Sequence, residues 1–167
     1  MLIYPHEQGP RMALTLRRDD LPQHAGQISL PGGAVDPGES AEVAALREAH
    51  EEIGVDPTGI RIVGALSTLW VIVSNFVVEP FVAVSDVRPG FRIATREVAQ
   101  LIEAPVAHLR DPARLHWQRV ARDGLLVQYP YFDLDGHRVW GATAMMLGEF
   151  ACLWDPQVKP DPEMKPG

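Results

Sequence analysis

The segment from Ser40 to Gly54 constrains this chain of 167 residues more than any other. Ser40 can cap a helix, Glu42 suits a first turn and Gly54 is placed to end it, so one helix is predicted over Ser40–Ile53. At 100° per residue, Val43, Leu46, His50 and Ile53 fall on one stripe, read as the packed face, while Glu48, Glu51 and Glu52 fall opposite. Local helix physics disfavours that acidic end. Glu48 and Glu52 form a like-charge i,i+4 pair, which costs roughly 0.2–0.5 kcal/mol. Glu51 and Glu52 also occupy the last turn, where the negative pole of the macrodipole costs roughly 0.3–1 kcal/mol per anion. A hard divalent cation held between the carboxylates reverses both signs, and oxygen ligands suit Mg²⁺ or Mn²⁺. Ala41, Ala44 and Ala45 are read as leaving room for a phosphate group. Arg47, four residues before Glu51, can hold that carboxylate in one orientation, a solvated face with a surface ion pair being the bland alternative.

Around this helix the pattern is mostly of strands. Leu2-Ile3-Tyr4 reads as a strand already under way, which makes a misplaced start an expectation; residues 11–17 read as a second strand, and Gln27–Leu30 as a short one stopped by Pro31-Gly32-Gly33. Residues 60–66 and 76–84 are rich in Val, Ile and Phe, with Pro80 marking an edge or bulge in the second. A short helix is expected over Glu97–Ile102. Asp135-Gly136 between aromatic and Val-bearing flanks signals a hairpin over Tyr129–Trp140, and Thr143–Trp154 a closing helix. These elements predict an α+β fold, an α/β/α sandwich on a mixed sheet, in one domain over residues 1–154 with a proline-rich flexible tail over 155–167.

Composition removes several function classes. A formal charge of −7 excludes a general nucleic-acid binder, which needs clustered Lys and Arg, yet a bound cation lets an acidic protein take a polyanionic substrate. Cys152 is the single cysteine, so no disulfide framework forms within the chain and a reducing compartment is expected. With neither a membrane-spanning apolar run nor a signal peptide in the sequence, a cytoplasmic location is expected. A second copy of the chain is held open as a partner.

Gly33, Glu39, Arg47, Glu48, Glu51, Glu52 and Gly54, closed by Val55, form the pattern G-x5-E-x7-R-E-x-x-E-E-x-G. This resembles the Nudix box at every defining position, with the small Ala49 where an apolar residue is usual. The resemblance implies the Nudix sandwich and metal-dependent hydrolysis of a nucleoside diphosphate linked to another moiety. Leu14-Thr15-Leu16-Arg17, His24 through Gly33, and Val139 through Ala144 resemble the coenzyme A diphosphatase branch; Pro22 stands where that branch commonly has a basic residue, and its N-terminal extension is missing. By similarity, Glu48 and Glu52 are expected to bind the principal metal, with Glu51 completing the cluster and a carbonyl of Gly32 or Gly33 adding a ligand. The general base is expected to be Glu51 or a carboxylate from elsewhere, with Glu97 first among these. Arg17, Arg18 and His24 are candidates for substrate phosphates, with Gly32 and Gly33 lining the substrate, and Tyr129, Tyr131, Phe132 and Trp140 for an adenine wall. Other nucleoside diphosphate derivatives, such as ADP-ribose or nucleotide-sugars, and a noncatalytic nucleotide sensor are the alternatives.

Overall fold

The computed structural model describes residues 1–22, 24–72, 75–122 and 125–154. In chain order they form β1 (Leu2–Tyr4), β2 (Arg11–Arg17), β3 (Ile28–Ser29), α1 (Ala41–Ile53), β4 (Arg61–Ala65), β5 (Leu69–Val71), β6 (Phe76–Val78), β7 (Phe81–Val84), β8 (Val98–Pro105), β9 (Leu115–Arg122), β10 (Leu125–Leu134), β11 (His137–Trp140) and α2 (Gly141–Trp154). The central strand β2 has β8 along one edge and shares the other between β1 and β3, all antiparallel. The parallel pair β1–β7 then carries the sheet on to β4, which makes the sheet mixed.

The period-2 geometry of the strands divides the core into two layers. Met12 and Leu14 of β2, with Ile102 and Ala104 of β8, point to one face and meet Ala144, Leu147 and Ala151 of α2 together with Phe132, Leu134 and Val139. Their intervening neighbour Ala13, with Leu2, Tyr4 and Ala83, points to the other face and meets Ala49 and Ile53 of α1. The result is the expected α/β/α sandwich. β9, β10 and β11 form a separate three-stranded sheet, whose β10–β11 turn puts Asp135 and Gly136 at φ 56° and 82°. Positive φ at both central positions is the hairpin turn that Asp-Gly favours.

Three expectations are corrected. Residues 98–102 are strand rather than helix, because pairing along the full length of β2 outweighs local propensity; Glu97 lies in the turn before β8. Pro80 does more than bulge a strand: it separates β6, which among the described residues pairs with β5 alone, from β7 of the main sheet. The packed face of α1 is also rotated from the predicted stripe. Val43 is 54% exposed and His50 is exposed, while Ala44, Ala49, Glu52 and Ile53 are buried. The small side chains of Ala44 and Ala49 let the helix lie close to the protein interior, so Ala44 is packed away rather than open to a ligand. The predicted tail over 155–167 lies outside the described residues.

Candidate active site

The termini of α1 form as their residues dictate. Ser40 Oγ accepts the Val43 N–H at 3.3 Å, and Gly54 closes the helix at φ 71° with its N–H on the His50 carbonyl. Gly54 has a second reason to be glycine: a Cβ there would lie 2.7 Å from the Arg92 carbonyl oxygen. That close approach lets residues 92–94 run across the helix end, where Arg92 N–H donates to Ile53 O and Ala94 N–H to Glu52 O, both at 2.8 Å. Two carbonyls that a helix terminus leaves open are thereby satisfied by the strap that leads into Glu97.

The Pro-Gly-Gly loop reaches the same place from the other side. Gly32 N–H donates to Glu52 Oε2 at 3.2 Å, and a Cβ on Gly33 would meet the Glu48 carboxylate at 2.4 Å. Any larger residue here would push the Glu48 carboxylate out of its present place. Arg47 organises the outer side: it donates to Glu39 at 2.7 and 3.2 Å, to Glu48 Oε1 at 2.9 Å and to the Ala34 carbonyl at 3.0 Å, with Glu51 3.5 Å away. Arg47 thus grips Glu48 and Glu39 more closely than its predicted partner Glu51. Glu39 also accepts the Asp36 N–H at 2.8 Å, which folds the loop ahead of the helix, and its carboxyl is held below its ordinary pKa by the hydrogen bond from Arg47.

Glu48, Glu51, Glu52, Ala94, Arg96 and Glu97 line one cavity of about 10 Å³, room for a single water-sized body. Within it Glu52 is the carboxylate under most strain. It is 4% exposed, and burial pushes its pKa up to about 7; Glu48 and Glu97 add to the shift, while the Gly32 N–H and Arg17 oppose it. The neighbouring cation, Arg17 Nη1, stands 3.8 Å from Glu52 Oε1, too far for a hydrogen bond. Arg17 Nε is buried and has no hydrogen-bond partner among the described residues.

These placements test whether the residues suit a divalent cation. Among the described residues no three His, Cys, Asp or Glu side chains are converged as a finished ligand set, and Glu48 is turned to Arg47. The donor chemistry fits nonetheless: four carboxylates surround one ion-sized cavity, and a buried carboxyl with a raised pKa is a group that a hard cation stabilises in its ionised form.

Of the residues singled out from sequence, Glu48, Glu51, Glu52 and Glu97 share the cavity, and Arg17, Gly32, Gly33 and Arg47 adjoin them. His24 is exposed, with Nδ1 2.9 Å from Gln27 Oε1 in its own loop. Arg18, considered for a substrate phosphate, instead makes a bidentate pair with Asp20 at 2.6 and 2.7 Å. Phe132 is core; Tyr129, Tyr131 and Trp140 lie on the other face of their sheet, with Arg138 4.4 Å from the Tyr131 ring centroid and His116 stacked on Tyr131 at 5.1 Å. Sequence reasoning missed Ala94 and Arg96, for which adjacency to Glu97 was the one available signal.

A Gly-Gly loop and a second strap pressed onto a glutamate-rich helix end bring four carboxylates around one cavity, the hard oxygen set that suits a divalent cation. The family model described as the NUDIX domain matches residues 2–118, and the chain belongs to the Nudix family of pyrophosphohydrolases, which generally use divalent metal ions. A Salmonella paratyphi B protein named Nudix hydrolase NudL is 35% identical over 143 residues, covering 85% of this chain and 74% of that protein. The fold is also that of RenU, a Nudix hydrolase from M. smegmatis (TM-score 0.56, 23% identity, 66% of this chain and 70% of that one). It is likewise that of a C. elegans Ap4A hydrolase (TM-score 0.54, 20% identity, 63% of this chain and 76% of that one).

Proposed function

We propose that this enzyme, with Mg²⁺ or Mn²⁺, hydrolyses the diphosphate of coenzyme A or its thioesters to 3′,5′-ADP and (acyl-)4′-phosphopantetheine. One observation carries the reading. Two of the three stretches that resemble the coenzyme A diphosphatase branch, Leu14–Arg17 and His24–Gly33, contain the second half of β2, all of β3 and the loop after it, and they deliver Arg17, Gly32 and Gly33 to Glu48 and Glu52.

Glu48 and Glu52 would hold the principal cation, with Glu51 completing the cluster and the Gly33 carbonyl as a further donor. A cation held by these residues would supply Lewis-acid chemistry, withdrawing charge from the diphosphate oxygens and making the attacking water more acidic. Arg17, beside Glu52, offers its partly exposed guanidinium to a diphosphate oxygen, where a charge-assisted hydrogen bond in a desolvated site is strongest. Arg47 fixes the orientation of Glu48 through their 2.9 Å hydrogen bond. As the water oxygen bonds to phosphorus and the bridging P–O bond breaks, the electron pair leaves on the departing phosphate, and Glu51 or Glu97 takes the water's proton.

The test is to incubate the purified chain and either ion with coenzyme A, acetyl-coenzyme A, ADP-ribose, a nucleotide-sugar and a dinucleoside polyphosphate, and to identify products by mass. Preferential release of 3′,5′-ADP supports the reading, and turnover confined to the other compounds overturns it. Comparing Glu51→Gln with Glu97→Gln assigns the base to whichever loses more of kcat.

A further inference from the structure

We propose that Arg18 is a positioning residue for the active site: it fastens the strap that carries Glu97 to the end of β2, so that Glu97 faces Glu48, Glu51 and Glu52. The inference rests on the reading of Glu97 as a working carboxylate and adds a residue whose side chain lines no part of the cavity.

The strap from Arg92 to Glu97 has two anchors. Its first half is hydrogen-bonded to the last carbonyls of α1 through Arg92 N–H and Ala94 N–H. Its second half, which bears Glu97, is held by Arg18 twice: the Arg18 main-chain N–H donates to Glu97 O at 3.1 Å, and Arg18 Nη1 donates to Thr95 O at 3.0 Å. Between these points Glu97 N–H and Val98 N–H both donate to Ala94 O at 2.9 Å, which closes the turn before β8. A guanidinium can point several ways, and Asp20 removes that freedom: its two oxygens take Nε and Nη2 of Arg18 at 2.7 and 2.6 Å, leaving Nη1 for Thr95. The Arg18 carbonyl in turn receives the Gly26 N–H at 3.3 Å, and Gln27 O receives the Arg17 N–H at 2.9 Å, so the loop between β2 and β3 is folded around the same residue.

As an exposed ion pair, Arg18–Asp20 contributes little to stability. What the geometry supplies is direction, because a carboxylate displaced by about 1 Å from its working position loses much of its effect on rate. Lysine cannot reproduce the arrangement, having a single flexible ammonium where the planar fork makes three directed bonds.

The experiment compares wild type with Arg18→Ala, Arg18→Lys and Asp20→Asn by amide hydrogen exchange over residues 94–98, by thermal unfolding, and by kcat and KM on whichever diphosphate the wild type cleaves. Expected are faster exchange over 94–98, a little-changed unfolding midpoint, and a kcat lower on the order of tenfold with KM nearly constant, since a misplaced base costs part of its 10²–10⁴ contribution. Arg18→Ala added to Glu97→Gln should cost little beyond Glu97→Gln alone. Unchanged exchange over 94–98 overturns the proposal, as does a rise in KM at constant kcat, which would make Arg18 a direct substrate contact. The exchange measurement needs no substrate, so it judges the clamp even if coenzyme A is not the compound turned over.

Discussion

Glu52 and Glu103 are two inward-leaning carboxylates with opposite surroundings. Glu103 accepts two hydrogen bonds from Arg88, at 2.6 and 2.9 Å, and one from the buried Tyr4 hydroxyl at 3.0 Å; Arg88 in the first place, and then Tyr4, hold its pKa below the ordinary value. Among the described residues Glu52 has a single N–H donor and a distant arginine; burial first, and then the negative charge of Glu48 and Glu97, raise its pKa instead. The first arrangement is complete within the chain and serves the fold. The second leaves room for the charge of the proposed cation, and it is the one that lines a cavity. A buried acid short of donors therefore marks the chemistry, whereas a satisfied one marks architecture.

The contrast breaks most sharply on neutralising each acid. Glu52→Gln should lower turnover on the order of 10²-fold or more, because it removes a charge that holds the electrostatic catalyst. Glu103→Gln should leave turnover nearly unchanged while costing about 1 kcal/mol of stability in weakened hydrogen bonds. Equal loss of activity in the two variants, measured as kcat/KM, would erase the distinction. Gly33→Ala sharpens it without touching a charge. The new methyl would displace the Glu48 carboxylate, with an expected loss of about tenfold in turnover and weaker heat on titration with Mn²⁺.

A further contrast is one of sign in the pH dependence of stability with chelator present. Glu52, raised from 4.5 to about 7, contributes stability fully present below its ordinary pKa and lost as pH rises through about 7; the loss amounts to about 3 kcal/mol at most. Glu103, depressed, contributes stability present above its ordinary pKa and lost as pH falls through its lowered one. Unfolding midpoints of wild type relative to Glu52→Gln should therefore fall with pH across that window, and relative to Glu103→Gln should fall on acidification. Adding Mn²⁺ should flatten the first trend. Parallel trends for both variants would sink the comparison.

The sequence made α1 legible because its cap, its closing glycine and its misplaced acids are all local signals. The facing of that helix was not legible: Val43 outweighs Ala44 on any hydrophobic scale, but alanine is what permits close packing. Residues 98–102 misled for a related reason, since only pairing with β2 makes them strand, and β9 went unread because His116, Gln118 and Arg119 interrupt its apolar pattern. The Gly32 and Gly33 approach was anticipated in kind. Glu97 was anticipated only through the family resemblance, and what no local pattern could announce was the arrival of Ala94 and Arg96 beside it at the helix end, which depends on contacts far apart in the chain.

One amino acid, Glu52, joins two seams of the molecule: its carbonyl receives Ala94 from the strap, and its side chain receives Gly32 from the loop. A glutamine there keeps an oxygen for each N–H while removing the charge and exchanging the second carboxylate oxygen for an NH₂, so that variant leaves both seams fastened. Alanine at the same position would unfasten the Gly32 seam as well, and its lost turnover would mix two causes.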